Sequence, residues 1–413
     1  MLFAAALAVR LVAIFALDTP GAAEGKTPWK FGGESACLAA SLAEGRGYGD
    51  PWAKDTGPSS WLTPVYPAFL AGLMELGGGV TRATALFLFL AQSLASAATC
   101  VLLAVLGARL GLSRAGVLAG WLLACYPIAV WNAVQTVWDT TFVAFALTAF
   151  LALLCVAGGS LRAALAAGLA YGALLFLNPA PLAVLPAALA FLAWRAGSAK
   201  RALLLSGAFL AVAALVCLPW CLRNQRVLGT FALRPNFGVE MRMGNHDEAN
   251  GRPVPFRYHP SHVEAELALY RELGEAEYGR DNQRRALEWI REHPSRFAAL
   301  SLRRMRIFWI GELPTSDPRR SDELAPGRDW NSWLKYAVYA LSGALALIAP
   351  FAVKLDGSRR LLVGGVLLLF GIPYFLTHVS ERYRFPIDPL ILLVDAALLL
   401  ELLRRGPVAR RAP

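Results

Sequence analysis

Residues 140–157 read TTFVAFALTAFLALLCVA, an apolar run that contains no charged side chain. A bilayer core about 30 Å thick needs about 20 such residues per helix, and shorter runs are tolerated inside a bundle. This run therefore predicts a transmembrane helix. The whole chain has the same character, because 56% of its 413 residues are hydrophobic and only 17% are charged. That composition is too apolar for a single water-soluble core.

Similar apolar runs recur along the chain, and they predict an all-α polytopic membrane protein with about ten transmembrane helices and a small, mostly helical extracytoplasmic domain. The first run could be a cleaved signal peptide, but it has no basic beginning and Arg10 interrupts it, so an uncleaved span is favoured. Residues 64–76 are apolar but short and proline-containing, which fits an interfacial helix better. The predicted spans are 2–17, 83–108, 115–131, 140–157, 163–177, 180–193, 202–222, 333–353, 361–377 and 387–403.

Positive charges in the short loops predict the orientation, because cytoplasmic loops collect Lys and Arg. With ten spans these residues fall on one side, which we predict to be cytoplasmic together with both chain ends. The predicted organisation is an N-terminal transmembrane module at 1–222 with its first outer loop at 18–82, an extracytoplasmic helical insert at 223–332, and C-terminal transmembrane helices at 333–413. The residues that set this orientation are Arg109, Arg114, Arg162, Arg195, Lys200, Arg201, Lys354, Arg359, Arg360, Arg404, Arg405, Arg410 and Arg411.

The formal charge of +11 does not indicate a nucleic-acid-binding protein. Most Arg and Lys residues fall between apolar runs or in one polar segment, without a basic helix or a zinc-binding pattern. We interpret this charge as a determinant of membrane orientation and of anion binding. The six cysteines predict no disulfide framework, because five of them lie within or beside apolar runs.

Two carboxylates on the predicted outer face are candidate catalytic groups. Glu34 starts a short amphipathic helix that Gly45 and Gly47 end, and it either complements the helix dipole or acts as a general base. Asp139 stands directly before the apolar run at 140–157 and is either an N-cap or a buried carboxylate of a site. Spacing alone leaves both alternatives open for each residue.

Three arginines near the predicted outer membrane surface are candidate anion ligands. Arg223 ends a span, where it is either a snorkelling side chain or a ligand. Arg382 and Arg384 lie in the segment HVSERYRFP at 378–386, on the outer face against the positive-inside trend. Because arginine suits bidentate phosphate binding, an anionic ligand at the bilayer surface would account for this exception.

Several short elements follow one another along the predicted spans and loops: Leu42 to Tyr48, Pro219-Trp220 with Arg223-Asn224, Asn236-Phe-Gly238 with Gly244-Asn245, and Arg382-Tyr-Arg-Phe-Pro386 before the last span. Taken in order, these elements resemble the GT-C glycosyltransferases, specifically the family of dolichyl-phosphate-mannose protein mannosyltransferases and bacterial aminoarabinose transferases. The resemblance runs through almost the whole chain. Glu34 stands where many relatives have Asp, and Asn178 replaces a basic residue before Pro179.

The resemblance implies an enzyme that moves a sugar from a polyprenyl-phosphate carrier to a glycolipid, polysaccharide or protein at the outer face of a bacterial cytoplasmic membrane. Glu34 would be the general base of a one-step, inverting displacement. Asp139 would either orient the acceptor or help hold a divalent metal ion, and no other cofactor is expected. The donor phosphate would be bound by Arg382, Arg384 and Arg223, and the substrates by Tyr66, Asn224, Asn245, His378 and Tyr383.

Two other functions fit a polytopic membrane protein. A transporter or flippase of a lipid-linked sugar would need charged residues in the middle of several spans. Such residues are scarce here, and Asp395 in the last span is the clear exception. An inactive glycolipid-binding scaffold would differ from the transferase only in turnover. The scarcity of charged residues within the spans favours an enzyme that acts at the membrane surface. Its expected partners are membrane lipids, a lipid-linked donor and an acceptor, and no nucleic acid is expected.

The ten-span topology can be tested with reporter fusions. We expect a reporter fused after Leu112 to be active in the cytoplasm and one fused near Ala276, in the insert, to be active outside, because an even number of spans separates the chain ends and Leu112 follows the second span. An external Leu112 would contradict the ten-span count and would place Glu34 or Asp139 on the wrong side for a common site.

Overall fold

The computed structural model describes residues 1–157, 159–253, 257–314 and 330–405. Throughout these ranges the regular structure is helical, and an isolated bridge between Gly49 and Pro58 is the only β contact. Helices suit the apolar runs because a helix pairs its backbone N–H and C=O groups within one segment, which a bilayer requires. The predicted all-α class is confirmed.

The described helices up to residue 228 cover the region predicted as the N-terminal module, residues 1–222, with its first loop, residues 18–82. Short 3-10 helices at Thr19–Ala23 and Ala180–Val184 connect some of them. The α-helices are α1 (Leu2–Ala16), α2 (Pro28–Ala43), α3 (Val65–Gly77), α4 (Arg82–Arg109), α5 (Ser113–Cys125), α6 (Pro127–Gln135), α7 (Thr140–Ala157), α8 (Leu161–Leu177), α9 (Leu185–Ala196) and α10 (Ala199–Leu228).

The described helices after residue 228 lie in the region predicted as the insert, residues 223–332, and in the C-terminal part of the chain. A 3-10 helix at Glu381–Ile387 leads into the last α-helix. The α-helices are α11 (Phe237–Gly244), α12 (Glu264–Glu292), α13 (Pro294–Ile310), α14 (Trp330–Ala352), α15 (Gly357–Phe370), α16 (Ile372–Leu376) and α17 (Asp388–Arg405).

Every predicted span coincides with a helix, but not every such helix has the length and composition of a membrane span. Helices α1, α8 and α9 are apolar and shorter, as is α3, and α17 contains five charged residues. The multi-pass membrane class is therefore confirmed, whereas the ten-span count and the interfacial placement of α3 stay predictions. In the described part of the chain five helices meet both criteria, at Arg82–Arg109, Thr140–Ala157, Ala199–Leu228, Ser332–Ala352 and Gly357–Leu376, and α5 with α6, bent by 53°, makes a sixth.

A buried arginine joins α1 to the bend between α5 and α6. Pro127 has no N–H to donate to the carbonyl of Leu123, so the helix is interrupted there. Arg10 is fully buried and supplies the missing donors: its Nη2 lies 3.2 Å from the Leu123 oxygen and its Nη1 lies 3.1 Å from the Ala124 oxygen. Its Nε donates to Ser96 Oγ on α4 at 2.8 Å. The residue that interrupts the first apolar run therefore fixes α1 in the bundle.

The insert is docked on the first loop through one buried carboxylate. Helix α12 breaks at Gly274, where φ is 74°, and the next residue, Glu275, is 5% exposed. Glu275 accepts hydrogen bonds from Ser59 Oγ at 2.5 Å, from Ser60 N at 2.8 Å, from Ser60 Oγ at 3.0 Å and from Tyr270 Oη at 2.9 Å. An apolar cluster that includes Trp52 and Trp61 of the loop packs beside this network.

We expect Arg10→Ala to destabilise the protein, because the Ala124 carbonyl would lose the Arg10 donor in the bundle interior and the Leu123 carbonyl would keep only the Tyr126 N–H, 3.3 Å away. A buried acceptor left without a partner costs about 1–3 kcal/mol, and the free energy of unfolding should fall by an amount of that order. Thermal unfolding in detergent measures the change, with Arg109→Ala at the exposed end of α4 as the matched control. An Arg10→Ala protein as stable as the control would contradict the role given to Arg10.

Candidate functional site

The two predicted catalytic carboxylates stand on segments that pack against each other. Glu34 follows a break in α2, where Gly33 adopts φ 56° and ψ −139°, a backbone conformation that favours glycine. A Cβ atom on Gly32 would lie 2.6 Å from Cγ1 of Val137, which precedes Asp139 by two residues. Glycine at position 32 therefore allows the turn that carries Asp139 to approach the first loop at Glu34.

Glu34 lies in a partly closed, charged environment. Its side chain is 33% exposed, and burial raises its pKa above the ordinary value, with a further increase from the negative charge of Glu240. Its own backbone hydrogen bond and the positive charges of Arg382 and Arg234 act in the opposite direction. Because burial outweighs these charges, Glu34 holds a proton more tightly than a carboxyl in water does.

Asp139 is held in the turn before α7 by a side chain from the turn that follows α8. Asn178 Nδ2 donates to Asp139 Oδ2 at 2.7 Å. Burial raises the pKa of Asp139, while this hydrogen bond and the charges of Arg234 and Arg382 lower it. The same two arginines thus act on Glu34 and on Asp139, which places all four side chains in one electrostatic neighbourhood.

Aromatic rings and a backbone carbonyl position the two arginines. The guanidinium carbon of Arg382 lies 4.1 Å from the centre of the Trp138 ring and 5.3 Å from that of Tyr383, both cation–π distances. Arg234 Nε donates to the carbonyl oxygen of Trp61 at 2.8 Å. Arg382 is therefore fixed to the turn that carries Asp139, and Arg234 is fixed to the first loop.

Glu240, on α11 of the insert, is a functional candidate that sequence reasoning missed. Its Oε2 lies 2.7 Å from His378 Nε2, and its Oε1 accepts from Asn236 Nδ2 at 3.1 Å. Burial alone would raise the pKa of Glu240, but His378, Arg234 and His259 lower it to about 2. The predicted substrate residue His378 is thus at the site, paired with a carboxylate. The signal available in the sequence was the position of Glu240 two residues after the Asn236-Phe-Gly238 element.

Two predicted substrate-binding tyrosines also lie near these groups. Tyr66 on α3 is buried beside Asp139, and its hydroxyl has no hydrogen-bond partner among the described residues. Tyr383 stacks on Tyr374 with ring centres 4.6 Å apart. Both side chains therefore belong to the site that the carboxylates and arginines outline.

Arg384 does not take the position predicted for it. This side chain is fully buried, and its nitrogens donate to Asp388 at 2.9 Å, to the Trp309 carbonyl at 2.8 Å, to the Tyr339 carbonyl at 3.0 Å and to Ser342 Oγ at 3.1 Å. A guanidinium has five N–H donors, so these contacts engage most of them. The prediction that Arg384 binds a donor phosphate is corrected: it joins α14 to the start of α17.

Arg223 and the two predicted asparagines are likewise bound to the protein's own backbone. Arg223 donates to the carbonyls of Ser59 at 2.7 Å and Tyr48 at 3.1 Å. Asn224 donates to Ala232 O at 2.8 Å, and Asn245 donates to Met241 O at 2.7 Å and Leu376 O at 2.9 Å. These contacts show that the three side chains hold loops in place, and their predicted substrate contacts stay predictions from the sequence.

A metal site at Asp139 is not supported by the surrounding donors. Over the described ranges no group of three or more His, Cys, Asp and Glu side chains could hold a metal ion. The observed partner of Asp139 is the amide of Asn178, which donates a hydrogen bond. The chemistry below is therefore derived from side chains alone, and the metal at Asp139 stays a prediction from the sequence.

The raised pKa of Glu34 predicts a pH-dependent stability effect. A group with a raised folded-state pKa stabilises the protein below its unfolded pKa, and that contribution is lost as the pH rises through the folded value. The ordinary value is 4.5. We therefore expect Glu34→Gln to melt at a higher temperature than the wild type at about pH 8, and at a similar temperature near pH 4. Scanning fluorimetry in detergent measures this difference.

The control for this measurement is Glu44→Gln, at the exposed end of the same helix, where the side chain is 58% exposed. We expect no pH-dependent difference between this variant and the wild type. A Glu34→Gln protein that is less stable than the wild type at about pH 8 would show that Glu34 is favourably ionised in the fold.

Comparison with known proteins gives structural neighbours only. No family model matches this sequence, and no curated protein matches it. The archaeal oligosaccharyltransferase AglB from Archaeoglobus fulgidus, in complex with an inhibitory peptide and a dolichol-phosphate, is 14% identical over 94% of this chain, with a TM-score of 0.50. The Archaeoglobus fulgidus oligosaccharyltransferase tethered through a disulfide to an acceptor peptide with the NVT sequon is 14% identical over 98% of this chain, with a TM-score of 0.52.

This chain spans about half the length of those structures, 48% of the first and 50% of the second. At such low identity the likeness concerns the fold. What is shown is therefore a fold shared with these two oligosaccharyltransferase structures. Together with its apolar helices, this likeness in fold indicates a multi-pass membrane protein.

Proposed function

We propose that this protein is an inverting membrane glycosyltransferase that uses a polyprenyl-phosphate-linked sugar. The observation that carries the proposal is the grouping of Glu34 and Asp139 around two shared arginines, Arg382 and Arg234, at one end of the helical bundle. We further propose that this end faces outward from a bacterial cytoplasmic membrane. Carboxylates beside cationic groups are the elements that a displacement at an anomeric carbon requires when the leaving group is a phosphate.

Glu34 is the better candidate for the base than Glu240. A general base works best when its pKa approaches the operating pH. The pKa of Glu34 is raised by burial, whereas that of Glu240 is lowered to about 2 by His378 and its other positive neighbours. A carboxylate held that firmly in its ionised state accepts a proton poorly. Glu240 instead supplies a fixed negative charge next to His378.

In the proposed step, Glu34 takes the proton from an acceptor hydroxyl or amine as the acceptor atom attacks the anomeric carbon. The bond from that carbon to the phosphate oxygen breaks, and the lipid phosphate leaves with the electron pair. Arg382 and Arg234 stabilise the charge that develops on the phosphate. Asp139 orients the acceptor through its position between the arginines and Asn178.

The donor proposal rests on the arginines and on the neighbours in structure. Arg234 takes the role expected of Arg384 and Arg223, because its terminal nitrogens make no hydrogen bond to the described part of the chain. One neighbouring oligosaccharyltransferase was solved with a dolichol-phosphate and the other with an acceptor peptide. A glycine-rich phosphate turn of the kind that binds nucleotides is missing from the sequence. These observations favour a lipid phosphate over a nucleotide sugar.

The experiment offers purified protein in nanodiscs the same labelled sugar on a polyprenyl monophosphate and on a nucleotide, with a crude envelope extract as the acceptor source. We expect transfer from the lipid carrier, and a loss of about 100-fold or more in Glu34→Gln, because general base catalysis contributes about 100- to 10,000-fold. Arg382→Lys should retain part of the activity, because a point charge cannot reproduce the bidentate fork of arginine.

Glu44→Gln is the matched control and should transfer sugar at the wild-type rate. Equal transfer from the nucleotide sugar, with the lipid pool excluded, would contradict the donor proposal. A Glu34→Gln protein within a few-fold of wild type would remove Glu34 from the role of base. The acceptor that gains label identifies the product as a glycolipid, a polysaccharide or a protein.

A further inference from the structure

The insert places a histidine, His259, against the predicted base. Its ring is 4% exposed and packs edge-on against two tryptophans of the first loop, with ring centres 5.7 Å from Trp52 and 5.4 Å from Trp61. Its Nε2 lies 3.7 Å from Oε1 of Glu34. Because the ring packs between these two tryptophans, packing sets the direction in which Nε2 points.

The hydrogen bonds of His259 identify its tautomer. Two groups of Ser261 lie at His259 Nδ1: the backbone N–H donates to it at 3.2 Å, and the hydroxyl Oγ, which can donate or accept, lies 2.5 Å away. The backbone amide can only donate, which requires an unprotonated Nδ1. Nδ1 is therefore an acceptor without a proton. Burial lowers the pKa of His259 to about 4, so the imidazole is neutral at neutral pH and carries its single proton on Nε2. That N–H faces the Glu34 carboxylate.

We propose that His259 is a positioning residue for Glu34, whose carboxylate it orients through the Nε2–H group. This inference rests on the proposed function, in which Glu34 is the base. The distance of 3.7 Å is longer than a hydrogen bond, and catalytic hydrogen bonds are often long before the substrate binds. His259 stabilises the ionised form of Glu34 and directs one oxygen, so that the other is available to the acceptor. The insert is thereby part of the catalytic site.

The other charged groups around Glu34 come from several elements. Glu240 on α11, which pairs with His378, raises the pKa of Glu34, whereas Arg382 and Arg234 lower it. His262, on the same segment as His259, also interacts electrostatically with Glu34. Removal of the His259 donor leaves all of these in place. Its effect on Glu34 can therefore be separated from theirs.

The test replaces His259 by Phe, which keeps an aromatic ring between Trp52 and Trp61 but removes the donor. Without the donor the ionised carboxylate is less favourable, so the pKa of Glu34 should rise. We expect the ascending midpoint of the pH profile of kcat/KM to move up by about half to one unit, which is about a three- to tenfold lower rate on the ascending limb. His259→Gln, whose amide offers an N–H in place of Nε2–H, should restore most of the wild-type profile.

His246→Phe is the matched control. His246 is also buried, and its Nδ1 accepts the backbone N–H of Glu248 at 3.2 Å, the same local arrangement as at His259. Within the described ranges no carboxylate lies within 4.0 Å of its ring nitrogens. The control should leave the pH profile unchanged even where it lowers stability.

A second measurement is independent of catalysis. The difference in melting temperature between the wild type and Glu34→Gln, followed against pH, reports the titration of Glu34 itself. This titration should move to higher pH when both proteins also carry His259→Phe. If Glu34→Gln keeps activity but this shift occurs, the proposed base is wrong and the positioning contact is supported. If neither the kinetic nor the thermal midpoint moves in His259→Phe, His259 does not position Glu34.

Discussion

The arrangement of the site depends on the carboxylate of Glu275. A buried charge is costly unless hydrogen bonds compensate it, and Glu275 accepts four, three of them from Ser59 and Ser60 in the first loop. The loop and the insert are therefore held in a fixed relative position. This position allows Arg234 to contact the Trp61 carbonyl and brings His259 close to Glu34. A residue with no place in the chemistry thus sets the geometry in which the chemistry is proposed to occur.

The five arginines described above divide into two groups according to their local partners. Arg10, Arg223 and Arg384 each donate to at least two backbone carbonyls inside the structure. In a low-dielectric interior an unsatisfied carbonyl is costly, and a guanidinium can serve several at once. Arg382 and Arg234 instead lie among carboxylates and aromatic rings. The positive charge available to a ligand is therefore much smaller than the net charge of the chain suggests.

The proposed base, Glu34, and two ionisable neighbours have different environments. Burial raises the pKa of Glu34, the His378 contact and other positive neighbours lower that of Glu240 to about 2, and burial lowers that of His259 to about 4. Different environments that separate the pKa values of neighbouring groups also separate their roles. One carboxyl can exchange a proton, one stays ionised, and the imidazole stays neutral and donates a hydrogen bond.

The sequence alone determined the all-α membrane class and the positions of most helices, and it made Glu34 and Asp139 candidates, because apolar runs, glycine breaks and residues before a helix are local features. It could not determine which arginine meets a ligand. Arg384 and Arg382 are two residues apart, yet one is buried in backbone contacts and the other faces the carboxylates. Glu240, Arg234 and His259 were missed because they reach Glu34 from positions more than 190 residues away in the chain. Only tertiary packing, which brings the insert onto the first loop and excludes water between them, decides such neighbours and the pKa shifts that follow from them.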